Sequence, residues 1–118
     1  MNLKISNKRL AKLARLEVLY MIFESNSAHI GSCFSCIDII TVIYNKILNL
    51  KKIKSNKNDR DLFILSKGHA CASLYAVLAL KKFFNKEKLK TFGKIFSPLM
   101  YHVRHTVTVF EFFTGLLA

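Results

Sequence analysis

Asp59-Arg60-Asp61-Leu62-Phe63-Ile64-Leu65-Ser66-Lys67-Gly68-His69-Ala70 is the most informative run in the 118-residue chain. Its part from Asp61 to Leu65 is short, apolar and β-compatible, which predicts a buried strand. Ser66 to Ala70 then reads as a tight turn around Gly68. A helix follows, roughly over residues 70–84, with Cys71, Leu74, Val77 and Leu78 turned inward. Strand, glycine-containing turn and helix is how α/β enzymes present functional side chains, because ligands gather beyond the carboxyl ends of parallel strands. The fold expected from this run is α/β: helix-rich, with at least one buried parallel-type strand.

Toward the amino terminus, residues 8–24 read as a helix. Ser6 or Asn7 caps it, and Leu10, Leu13, Leu16 or Glu17, and Tyr20 follow helical spacing. Ser25 to Ser32 is a polar loop of small residues. Ser35 is expected to start a second helix, with Asp38 three residues on in a capping-box arrangement. Cys36, Ile37, Ile40, Ile43, Tyr44, Ile47 and Leu48 form its apolar stripe. Residues 49–61 are a Lys- and Asn-rich connection. Toward the carboxyl terminus, Asn85 caps a short helix ending near Gly93, and Ser97-Pro98 stops it. Residues 102–118 are apolar, β-branched and aromatic, without a clear period.

Length and composition bound the function. A chain of 118 residues has the size of one domain. Its 52% apolar content excludes a disordered tail or a low-complexity linker. The net charge of +12 invites a nucleic-acid or anionic-membrane reading. Against it, Lys outnumbers Arg, and Arg9, Arg15, Arg60 and Arg104 are scattered, whereas base readout favours Arg. No nucleic-acid or membrane partner is expected. The apolar run Phe34 to Leu50 contains Asp38 and Lys46, and those charges with its length argue against a membrane span. Three cysteines, Cys33, Cys36 and Cys71, without a secretory signal point to a reducing, cytoplasmic setting.

The chemistry-bearing residues are the histidines His29, His69, His102 and His105, several of them in loops that could converge on a ligand. Cys33-x-x-Cys36 with His102-x-x-His105 has the wrong spacing for a zinc finger, so no metal ligands are assigned. Cys36 and Cys71 are better explained as core. Ser66 and Lys67 are adjacent and cannot readily act as nucleophile and base. Lys67 still offers a point charge to a phosphate.

At these loops the sequence resembles the beginning of a transketolase, in particular the amino-terminal subunit of split, bacterial-type transketolases. Ser27-Ala28-His29-Ile30-Gly31-Ser32-Cys33-Phe34-Ser35, followed by Ile37-Asp38-Ile39, resembles the family's SGHPGGSLS stretch and the helix after it. Asp59 to Ala70, then Leu74-Tyr75-Ala76, matches DRDRFVLSKGHA…LYA nearly residue for residue. Ser97-Pro98-Leu99 through His102 to Glu111-Phe112-Phe113-Thr114-Gly115 resembles SPLYGHVSHHVPGVEFSTGSLG.

The resemblance implies an amino-terminal, incomplete part of a three-layer α/β thiamine-diphosphate-binding domain over residues 1–118. It implies an enzyme that moves a two-carbon ketol unit between sugar phosphates. Thiamine diphosphate and Mg²⁺ are the implied cofactors, and a carboxy-terminal transketolase subunit, or self-association, is the implied partner. Carried over, His29, His69 and His102 are the catalytic residues. His69, His102, Thr114 and Gly115 face the cofactor, and His29 and Lys67 face the substrate.

The departures are equally specific. Ala28, Ile30, Tyr101 and Thr108-Val109 replace family Gly or Pro residues, and Leu116-Leu117-Ala118 replaces Ser-Leu-Gly. A bulky residue in place of a glycine with positive φ costs about 1–2 kcal/mol. The family's GDG…N metal-and-diphosphate motif does not occur in these residues, so the chain alone is expected to be inactive. The alternatives are a non-catalytic interaction module or decayed gene product, and behind them a basic nucleic-acid binder.

Overall fold

The computed structural model describes residues 4–95 and 97–100. In chain order they form α1 (Asn7–Ser25), α2 (Ile30–Val42), a π-helical turn (Ile43–Ile47), α3 (Leu50–Lys54), a 3₁₀ turn (Gly68–Ala70), α4 (Cys71–Leu80) and a 3₁₀ helix (Lys86–Thr91). Helices α1, α2 and α4 pack pairwise against one another and enclose the core.

α1 begins where the Ser6 hydroxyl accepts the Arg9 amide at 3.1 Å, satisfying one of the free donors of the first turn. It ends at Asn26, which takes the left-handed conformation at φ 52°, a role Asn tolerates. Its buried face is Leu10, Ala11, Ala14, Val18, Met21 and Ile22. Leu16 and Tyr20, expected inside, are 55% and 52% exposed. The helix is apolar on two faces, and the face toward α2 and α4 is the one that is buried.

α2 starts five residues earlier than expected. His29 precedes it in the left-handed region, at φ 74°. The Ser35 hydroxyl donates to the Ser32 carbonyl at 2.9 Å, and Asp38 pairs with Arg15 across to α1 at 3.0 and 2.5 Å. The expected capping box is therefore not formed. Ile37, Ile40 and Tyr44 are buried, whereas Ile47 is exposed. The helical stretch Ile30–Ile47 has the length and composition of a membrane span, with mean hydropathy 1.3 over its 18 residues. Its inner face is part of the core between α1 and α4, and a core helix meets the same length and composition, so these alone do not make it a span. The π turn aims Asn45 at the start of α1, where its amide donates to the Ile5 carbonyl at 3.0 Å and to Asn7 Oδ1 at 2.7 Å. Lys81, at the end of α4, donates to Asn45 Oδ1 at 2.9 Å. One side chain thus ties three elements together.

The expected buried parallel-type strand, and with it the α/β assignment, is overturned. No strand occurs among the described residues, and residues 60–67 carry no regular structure. The segment keeps the two-residue alternation of a strand: Phe63 and Leu65 pack on the core while Leu62 and Ile64 are 51% and 54% exposed. A strand needs a second extended segment to share its ladder hydrogen bonds, and no such segment occurs among the described residues. The described fold is helical, not the three-layer α/β arrangement.

α4 and the 3₁₀ helix follow the sequence closely. Every residue from Cys71 to Ala79 is buried, including the expected Cys71, Leu74, Val77 and Leu78. The Asn85 side chain accepts the Glu87 amide at 2.9 Å and opens the 3₁₀ helix. Glu17 of α1 pairs with Lys86 at 3.0 Å and holds this helix against the bundle.

Candidate functional site

Two of the sequence-derived histidines meet. His29 leads into α2 and His69 lies in the 3₁₀ turn that leads into α4. Because α2 and α4 pack together at these ends, the imidazoles come to a centroid separation of 4.2 Å with their planes 36° apart. His29 reaches this place from left-handed backbone, a conformation that His adopts more readily than most side chains but still at a cost.

The pair lines a cavity of about 360 Å³, together with Ile22, Asn26, Ser27, Ala28, Cys33, Ala72 and Phe92. Ile22, Ala72 and Phe92 give it an apolar wall, and Asn26 and Ser27 a polar rim. A neutral imidazole carries one donor and one acceptor nitrogen, so the pair can bind hydroxyl groups or ring nitrogens and pass a proton. An apolar wall with a few convergent polar groups is the usual character of a small-molecule site.

Cys33, which lines the cavity, is buried. Burial pushes its thiol pKa up, opposed by a hydrogen bond from Ser73. Burial pushes the Cys71 thiol up to about 12, with the neighbouring Cys33 adding to the effect. None of the three cysteines forms a disulfide among the described residues. Cys71 is core as expected, while Cys36 is only partly buried and donates to the carbonyls of Ser32 and Cys33.

Lys67 is not among the residues lining the cavity. Its ammonium donates to Ser35 Oγ at 2.7 Å, which joins the turn carrying His69 to α2. His102, Thr114 and Gly115 lie outside the described residues, as do Tyr101, His105 and Thr108-Val109. The chain leading toward them is anchored, since Met100 accepts the Tyr75 hydroxyl at 2.8 Å and the Cys71 thiol at 3.5 Å. Ala28 and Ile30, which replace Gly and Pro of the family stretch, do not have positive φ, so neither carries that strain. Phe92 has no sequence signal that announces a cavity wall, because it arrives there through the fold.

Known proteins point the same way as the geometry. The family model described as the transketolase, thiamine diphosphate binding domain matches residues 6–117. The chain belongs to this family. An apulose-4-phosphate transketolase subunit of Phocaeicola vulgatus is 32% identical over 103 residues, which is 87% of this chain and 37% of that protein. A 6-deoxy-6-sulfo-D-fructose transketolase subunit, SqwG, of a Clostridium species is 31% identical over 109 residues, covering 91% of this chain and 39% of that protein. Transketolase 2 of Escherichia coli is 34% identical over 99 residues, covering 83% of this chain and 15% of that protein. This transketolase-family chain therefore spans well under half the length of these relatives.

Proposed function

We propose that this chain contributes the amino-terminal part of a thiamine-diphosphate-dependent ketol transferase acting on sugar phosphates. The observation that carries the reading is the His29–His69 pair, 4.2 Å apart on one cavity wall. The two loops that hold it are those most similar to transketolase in sequence.

The cavity fits the organic part of the cofactor and a hydroxyl-rich substrate, since it offers two imidazoles, an apolar wall and the Asn26–Ser27 rim. Thiamine diphosphate, when bound, stabilises the carbanion that the ketol transfer requires. The chain's own residues bind, orient and exchange protons. His29 and His69 each present ring nitrogens that hold a substrate or cofactor proton. Ile22, Ala72 and Phe92 keep water from one side. Lys67 would serve a substrate phosphate by leaving Ser35 Oγ. His102, Thr114 and Gly115 are proposed cofactor contacts on the sequence match alone.

Mg²⁺ does not fit the described residues. No three His, Cys, Asp or Glu side chains among them converge on one point, and the sequence contains no Gly-Asp-Gly. These 118 residues by themselves are therefore proposed to be inactive, and a carboxy-terminal transketolase subunit is the proposed partner. Assaying the purified chain for ketol transfer between sugar phosphates, with thiamine diphosphate and Mg²⁺ supplied, should give no turnover. Robust turnover would refute this division of labour.

One observation favours a second reading, a non-catalytic interaction module. Leu16, Leu19, Tyr20 and Phe23 leave an apolar face of α1 open, with Phe23 77% exposed, and such faces favour association. Sedimentation of a stable monomer at high concentration would count against it.

A further inference from the structure

We propose that Cys33 is the positioning residue of the histidine pair. The inference rests on His29 and His69 being the working groups of the site.

Three hydrogen bonds converge on this one residue. Its backbone N–H donates to the His29 carbonyl at 3.1 Å. Its thiol donates to the His69 carbonyl at 3.8 Å, a long contact that only sulfur makes. Its own carbonyl accepts the Ser73 hydroxyl at 2.8 Å. Cys33 and Ser73 are 1% and 0% exposed, so water does not compete for these groups. The backbones of both histidines are thus referred to a single buried residue, and Ser73 fixes that residue to α4.

The chemistry of the thiol agrees with a positioning role. Burial keeps Cys33 protonated, so it remains a donor and not a nucleophile. The same contacts argue against a zinc or redox assignment for Cys33 and Cys36. Cys36 directs its sulfur to the carbonyls of its own helix, and the Cys33 sulfur is directed to the loop of His69. A turn positioned by so weak a donor needs a second restraint, and the Lys67–Ser35 hydrogen bond at 2.7 Å supplies it on the solvent side.

The test reads the rings directly in the full 118-residue chain. Imidazoles 4.2 Å apart displace each other's carbon-bound proton signals in the NMR spectrum, and His29→Gln and His69→Gln assign the two sets. Cys33→Ala is expected to remove most of this mutual displacement while the helical circular dichroism is kept. A residue that merely fills the core would lower the melting temperature and leave the imidazole signals in place, and that result would overturn the proposal. If Cys33→Ala loses its helical signal, Ser73→Ala decides, with the same expected loss and the same contrary result. Because no cofactor is added, the inference can fail while the thiamine diphosphate reading stands, and the reverse.

Discussion

Helix α4 and the segment just before it are both apolar, yet one is buried on every side and the other is half in water. From Cys71 to Ala79 no residue is exposed, whereas Leu62 and Ile64 are 51% and 54% exposed. The difference lies in the backbone. A helix pairs its own N–H and C=O groups and can be enclosed from any direction. An extended segment depends on a neighbouring strand for a ladder of the same bonds, and no strand is found among the described residues. Apolar composition alone does not bury a segment; the route by which its polar backbone is satisfied comes first.

The largest test of this contrast is a pair of truncations. Leu74→Ala in α4 should cost about 2–5 kcal/mol in urea unfolding, as leucine deletions in closed cores do. Ile64→Ala should stay within about 0.5 kcal/mol, as at other surface positions. Equal losses would break the comparison, because they would show residues 61–65 to be as enclosed as α4.

A second test applies the same principle to a side chain. Thr41 of α2 is fully buried, and its hydroxyl has no hydrogen-bond partner among the described residues. Thr41→Val removes the unsatisfied group at nearly constant volume and should stabilise the chain by about 1 kcal/mol in the same unfolding experiment. A loss of stability would mean that the hydroxyl is satisfied in solution.

The smallest effect belongs to the solvent side of α2. The Arg15 guanidinium, chiefly by hydrogen bonding and less by its charge, holds the Asp38 carboxyl below its ordinary pKa of 3.8, against an opposing effect of burial. A lowered native pKa means that the pair stabilises the fold above the ordinary carboxyl range. That contribution is lost as the pH falls through the native value. The pair is well exposed, at 35% and 65% for the two side chains, so solvent screening limits it to about 0.2–1 kcal/mol. Asp38→Asn should lose that amount near neutral pH and converge with the parent in acid. A constant gap at all pH values would remove the ion pair as its cause.

What the sequence made legible follows the same division. Helix α1 was readable from its Ser6 cap, but not its inner face. Leu13, Leu16 and Tyr20 satisfy helical spacing as well as Ala14, Val18 and Met21 do, and only the neighbours choose between them. The start of α2 was hidden because His29 in a left-handed conformation is no capping signal, while Ser35 looks like one. The strand was expected because Asp61-Leu62-Phe63-Ile64-Leu65 is short, apolar and β-compatible, and no ladder is found for it among the described residues. The histidine pair was readable because the loops around His29 and His69 match a family pattern. Its 4.2 Å contact, and the place of Cys33 beside it, depend on how α2 and α4 pack.

The central claim is that His29 and His69 form the working wall of a thiamine diphosphate site. Calorimetric titration of thiamine diphosphate, with no Mg²⁺ added, into the parent chain and into His69→Ala tests it most directly, because the cavity is proposed to take the organic part of the cofactor. Binding by the parent, weakened about tenfold or more in the variant, is the expected result, since loss of one ligand hydrogen bond of about 1.4 kcal/mol has that effect. Equal binding by both chains, or none by the parent, would contradict it.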